Sequence, residues 1–264
     1  MIVTHYCRRP VARLVGAIIA GGLLLFSGCG KSNEGEQKRT VAQLIDQLKS
    51  PDPRQREEAA EELRIRRSGA REAIPHLIEL LADDDQKVRE RAAEALGGIG
   101  EDALPEVLKA LKDKHPRRRA MAALALGNIG PKDPPRQIAA FLQALDDEEP
   151  EVRIYAARGV EIFGPRDALP RIMEVIERDS NRYVRCHLLQ AIGNMGEAAR
   201  PALPLVERLL KDPDQEVQHA ALRAFLQLKG IADAPPEKLP QNPTPQEGTK
   251  STGPSQKGAP RKEP

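Results

Sequence analysis

The feature that most restricts this chain is a tandem repeat with a period near 32 residues, running from residue 40 to residue 230. Arg56, Arg89, Arg119, Arg153 and Arg185 mark five copies and Gln218 stands at the sixth, with spacings of 33, 30, 34, 32 and 33. Four places before each lies a polar or acidic residue: Asp52, Asp85, His115, Glu149, Asn181 and Asp214. Pro53, Pro116 and Pro150 follow it in three copies. This is how helices start, because a short polar side chain caps free N–H groups and proline is tolerated at the first helical position. Small apolar residues then recur at helical spacing, as in Val88, Ala92, Ala95 and Leu96. Gly97, Gly127, Gly164 and Gly193 are expected to end these helices.

A second helix is expected upstream of each. Pro75, Pro105, Pro135, Pro170 and Pro204 each open an apolar run, while the first copy lacks the proline and begins at Thr40. Each repeat is then a helical hairpin with helices of about 10 to 13 residues. One such hairpin cannot bury its own apolar stripe, but stacked neighbours can. Composition agrees: aromatic residues make up 3% of the chain and Trp is absent, too few to cover the faces of an all-β fold. The formal net charge of +2 gives no reason to expect a nucleic-acid binder. Cys7, Cys29 and Cys186 lie too far apart for a metal knuckle or a disulfide framework.

The runs IPHLIELLADDDQKVRERAAEALGGIG and LPEVLKALKDKHPRRRAMAALALGNIG resemble HEAT repeats, in particular the short phycobilisome-lyase-type HEAT-like repeats. The resemblance implies an all-α, right-handed α-solenoid of about six hairpins, with first helices convex and second helices concave. It also implies that the repeated Asp and Arg positions pair between copies as a buried polar ladder. Arg56, Arg89, Arg119, Arg153 and Arg185 are on this reading structural, since a buried guanidinium needs partners to offset its desolvation. His115 and Gln218 depart from the pattern.

The first 28 residues read as a secretory signal: basic Arg8, Arg9 and Arg13, then an uncharged apolar run from 14 to 26, then small residues. That run is short of the roughly 20 residues of a spanning helix; extension back to Val11 leaves an uncleaved anchor as the alternative. Phe26-Ser27-Gly28-Cys29 resembles the lipobox of bacterial lipoproteins, with Phe where Leu is usual. The resemblance implies cleavage before Cys29 and acylation there, giving a lipid-anchored, extracytoplasmic protein of the cell envelope. Gly30 rather than Asp after Cys29 is compatible with the outer membrane, facing the periplasm. Residues 29–39 form a polar tether, and residues 231–264 a Pro-rich tail expected to lack a fold.

Catalytic patterns are missing: the sequence contains no HExxH, CxxC, GxSxG, GxxxxGK[ST] or GxGxxG. No metal, no small-molecule cofactor and no nucleic acid is expected. The basic run Lys112, Lys114, Arg117, Arg118 and Arg119 reads as a solvated turn paired with Asp102, Glu106 or Asp113. The functional signal is a stripe on the second helices, one, two and five places after each reference position. It passes from Glu57, Glu58 and Glu61 through an apolar middle to His219 and Arg223. A helix that is apolar on both faces is buried twice or offers a contact surface. Met121, Leu124, Ile154, Tyr155 and His187 are the candidate anchors for a protein or peptide partner. The expected function is a membrane-tethered interaction scaffold; the alternative is an enzyme of lyase or hydrolase type.

Overall fold

The computed structural model describes residues 39–231. The expected signal segment with Cys29, the tether up to residue 38 and the tail from residue 232 lie outside the described residues.

Six helical hairpins follow one another. The first pairs α1 (Val41–Gln47) with α2 (Pro53–Arg66), and the second α3 (Ile74–Leu80) with α4 (Gln86–Ile99). The third pairs α5 (Leu104–Ala110) with α6 (Pro116–Ile129), and the fourth α7 (Pro134–Ala144) with α8 (Pro150–Phe163). The last two pair α9 (Leu169–Arg178) with α10 (Arg182–Met195) and α11 (Leu203–Leu209) with α12 (Gln215–Leu228). Each second helix packs on the next, so α2, α4, α6, α8, α10 and α12 form one continuous layer. The described residues form an α-solenoid.

The six polar residues read as helix starts all stand at the N-cap. Asp52, Asp85, Asn181 and Asp214 accept hydrogen bonds there from backbone N–H groups, whereas the side chains of His115 and Glu149 do not. Thr40 and Gln43 close a reciprocal capping box on α1, which starts the array where the other first helices use proline. Lengths differ from expectation. Every second helix has 14 residues, and α3, α5 and α11 have seven, each entered through a 3-10 turn. The longer helices move the stop. Gly97, Gly127 and Gly193 lie inside α4, α6 and α10, and the chain leaves the helix at Gly100, Gly130 and Gly196, all with positive φ. Only Gly164 ends its helix as expected. The interior glycines serve close approach instead: a Cβ on Gly98 would stand 2.8 Å from the Arg64 carbonyl oxygen of α2.

Buried residues from Leu44 to Leu228 form one cluster. Three and four places after the reference position the second helices bury Ala59 and Ala60, Ala92 and Ala93, Ala122 and Ala123, Ala156 and Ala157, and Leu188 and Leu189. In the first four copies these small side chains let neighbouring backbones come close. In the last copy the pair is Ala221, buried, and Leu222, 41% exposed, because no further hairpin covers it among the described residues.

The polar ladder exists, but its carboxylates are not the capping residues. Arg119 donates through Nε and Nη2 to Asp147 at 2.8 and 2.9 Å, and Arg153 donates to Asp179 at 2.8 and 3.3 Å. Arg56 reaches Asp83 at 2.8 Å, and Arg185 pairs with Asp212. Each of these aspartates lies two residues before an N-cap and also accepts that cap's backbone N–H. The same arginines, save Arg185, hold the turn before their own helix through two carbonyl oxygens, as Arg119 does with those of Asp113 and Lys114. One carboxylate thus fixes a turn and an inter-repeat contact together. His115 therefore leaves the ladder untouched. Gln218 closes it: at the end of the described array it keeps the bond to the Asp212 carbonyl at 2.6 Å and needs no downstream carboxylate. The rung from Arg89 is the one that lacks its carboxylate among the described residues. Arg118 occupies the place where four other copies carry valine, and it holds Asp113 at 2.8 Å.

Candidate functional site

The second helices meet around a hollow of about 730 Å³, lined from α2, α4, α6 and α8. Leu124 and Tyr155 line it together with Gly97 and Gly98, and Asn128 adds an exposed amide. Charged groups stand around it: Arg64, Arg67 and Arg158, with Glu90 and Glu94.

Burial decides which candidate anchors reach this space. Ala120 is fully buried and Met121 is 3% exposed, because α6 is packed between α4 and α8. Met121 is therefore a core residue and not an anchor, which corrects the sequence expectation. Leu124, one turn further along the same helix, is only partly buried and lines the hollow. Tyr155 lines it too. Ile154 packs against the core beside Tyr155 and does not line the hollow. His187 stands outside it on α10, where its Nδ1 lies 2.7 Å from Oε2 of Glu161 on α8.

Partial burial also acts on the electrostatics around the hollow. Burial, with the charges of Glu151 and Glu90 added, pushes the Tyr155 hydroxyl up to about 12. Desolvation also raises the Glu151 carboxyl, against the pull of Arg89. Groups on α4 and α8 thus share one field across α6.

The acidic end of the stripe lies among arginines. Glu57, Glu58 and Glu61 face a smaller hollow of about 520 Å³ together with Arg39, Arg54 and Arg91. Glu61 is held by Arg64 at 2.7 Å, a bond that lowers its carboxyl pKa, and Arg91 reaches Glu94 at 2.7 Å and Glu57 at 3.6 Å. The arginines of the basic run at 112–119 are likewise paired: Arg117 with Asp84, Arg118 with Asp113 and Arg119 with Asp147.

Two of the three arginines that line the hollow are unpaired. Arg67 and Arg158 are exposed and pair with no carboxylate among the described residues. Arg67 also has φ 54 and ψ −135, and it is the one non-glycine residue with positive φ among the described residues. Four other copies place glycine at this helix end: Gly100, Gly130, Gly164 and Gly196. A side chain in this backbone region costs about 1–3 kcal/mol. Arg64, Arg67 and Asn128 were not among the sequence candidates. Two signals could have found them: the same helix face continued to eight and nine places after each reference position, and an arginine standing where the repeat has glycine.

A family model described as HEAT repeats matches residues 30–97, 74–140 and 138–226. No curated protein matches the chain. Among solved structures, one similar to this chain is the complex of CpcE and CpcF of phycocyanin lyase from Nostoc sp. PCC7120. It is 25% identical, with 58% of this chain and 98% of that chain covered and a TM-score of 0.51. Kap121p is 14% identical, with 72% of this chain covered and a TM-score of 0.59, and the match spans 25% of Kap121p. Kap95p, in a structure with RanGDP, is 17% identical, with 72% and 31% covered and a TM-score of 0.57. At those identities the last two likenesses show the fold alone.

Proposed function

The chain belongs to the HEAT-repeat family, and from that premise we propose that it is a membrane-tethered, extracytoplasmic scaffold whose inner hollow holds a segment of a protein partner. The observation that carries the reading is the hollow itself, a space of about 730 Å³ lined by four consecutive second helices, in which Leu124 and Tyr155 stand among charged side chains. Such a combination suits an extended segment better than a flat protein face, because apolar contact supplies affinity and rim polarity fixes register. The membrane half of the reading rests on the sequence around Cys29. Acyl chains contribute about 0.8 kcal/mol per buried methylene, so two or three would hold the repeat domain at a bilayer.

Affinity capture from solubilised membranes tests the first half. Partners retained by the full-length chain should be lost with Tyr155→Ala or Leu124→Glu and kept with Gln143→Ala on the outer helix α7. Retention of the same proteins by all three variants refutes the hollow as the binding site. Metabolic labelling with a radioactive fatty acid tests the second half: label should enter the wild-type chain and be absent from Cys29→Ala.

The likeness to the CpcE–CpcF complex supports the lyase half of the second reading, an enzyme of lyase or hydrolase type. It is the weaker one here, because the carboxylates of the hollow are already engaged, Glu90 by Gln86 and Glu94 by Arg91.

A further inference from the structure

The charged groups around the hollow are not equally available. Glu94 is held by Arg91, Glu90 accepts from Gln86 at 2.9 Å, and Arg64 is clamped by Glu61 through two bonds of 2.8 and 2.7 Å. What remains is cationic: Arg67 at the end of α2 and Arg158 on α8, with Leu124 on the intervening α6 and Tyr155 one turn before Arg158 on α8 itself. The repeat gives no structural reason for the first of these. At the equivalent helix ends glycine takes the positive φ without strain, whereas this copy keeps an arginine there in a backbone conformation that disfavours it. A strained residue held at the edge of a cavity is a recurring mark of a binding role.

We propose that the hollow is selective for an acidic segment, one whose carboxylates are taken by Arg67 and Arg158 and whose intervening large apolar side chain is seated on Leu124 and Tyr155. This rests on the reading of the hollow as a peptide-binding site. Packed helices stand about 8–10 Å apart, so α2 and α8, three spacings apart, are separated by at most about 30 Å. An extended chain rises about 3.3 Å per residue, which makes the segment roughly nine residues long at most. Guanidinium groups bind carboxylates in planar, two-pronged pairs, so the two arginines select acid over amide as well as over base.

Fluorescence anisotropy on the full-length chain in detergent tests this. The probes are labelled nine-residue synthetic peptides with Glu near both ends and Leu or Phe at the centre, together with versions carrying Gln or Lys for Glu, and Ser for the central residue. The Glu peptide is expected to bind at least tenfold more tightly than its Gln and Lys versions, and more weakly as salt rises. Arg67→Glu and Arg158→Glu should each lower its affinity tenfold or more, and the double variant should prefer the Lys peptide. Arg67→Gly, which restores the backbone preference of the repeat, should also lose affinity while the fold persists by circular dichroism. Equal binding of the Glu, Gln and Lys peptides, with charge reversal silent but Tyr155→Ala damaging, overturns the acidic selectivity and leaves the hollow as the peptide site. Failure of every peptide to bind the wild-type chain overturns both.

Discussion

Replacing Arg119 by Met removes a full rung of the ladder. Its guanidinium makes bonds of 2.8 and 2.9 Å to Asp147 and of 3.0 and 3.2 Å to the carbonyl oxygens of Asp113 and Lys114. The two side chains of the ion pair are 11% and 14% exposed. Breaking a fully buried pair by deleting one partner costs about 3–5 kcal/mol, because the other charge is left stranded. Some water still reaches Asp147, which also keeps the N–H of Glu149, so the expected loss is about 2–4 kcal/mol. Arg89→Met is the matched control. Arg89 makes the two carbonyl bonds, at 2.7 and 3.0 Å, without the carboxylate, and its loss should cost about 1–2 kcal/mol. Urea denaturation followed by circular dichroism measures both variants, and Asp147→Asn with the double variant isolates the pairwise coupling. The slope with urea must be compared as well, since a stacked array can unfold in parts. Equal losses for Arg119→Met and Arg89→Met, or a coupling between Arg119 and Asp147 below about 0.5 kcal/mol, would refute the account of the ladder.

Arg118→Val should free Asp113 for Arg89, so that Arg89→Met becomes more damaging in that background than in the wild type; an unchanged cost in urea denaturation counts against it. Arg67→Gly should raise the thermal midpoint by a few degrees, as relief of about 1 kcal/mol does in a domain near this size, and a lower midpoint would show that the strain is not there. Burial opposes ionisation of Asp212, but the bond from Arg185 and the N–H of Asp214 hold its carboxyl below the ordinary aspartate value. Its folded pKa is depressed, so its contribution to stability is complete above about pH 3.9 and is lost as pH falls through the folded value. Asp212→Asn should therefore be destabilised at pH 7 and lose less on acidification than the wild type, and parallel pH profiles would refute this. Burial pushes the Cys186 thiol up to about 11. In a chain carrying Cys7→Ser and Cys29→Ser, labelling by iodoacetamide at pH 8 should be far slower than for a free cysteine, read as mass shift against time.

The sequence by itself determined the units. Period, caps and proline positions are local signals, because a helix start depends on a few adjacent residues competing for the same N–H groups. Asp52, Asp85, Asn181 and Asp214 could be placed from the chain alone for that reason, and so could the dependence of each hairpin on its neighbours. Tertiary structure decided what local pattern does not encode. Each capping aspartate and the ladder aspartate of the same turn lie two residues apart, and only the approach of the next hairpin distinguishes Asp147, which meets Arg119, from a simple cap. Packing of α6 between α4 and α8 buried Met121 while leaving Leu124 only partly buried, a difference of one helical turn that no single-helix pattern records. Arg67 lies between the two cases: its departure from glycine is visible in the repeat, but its strain and its place at the hollow appear only once the helices are stacked.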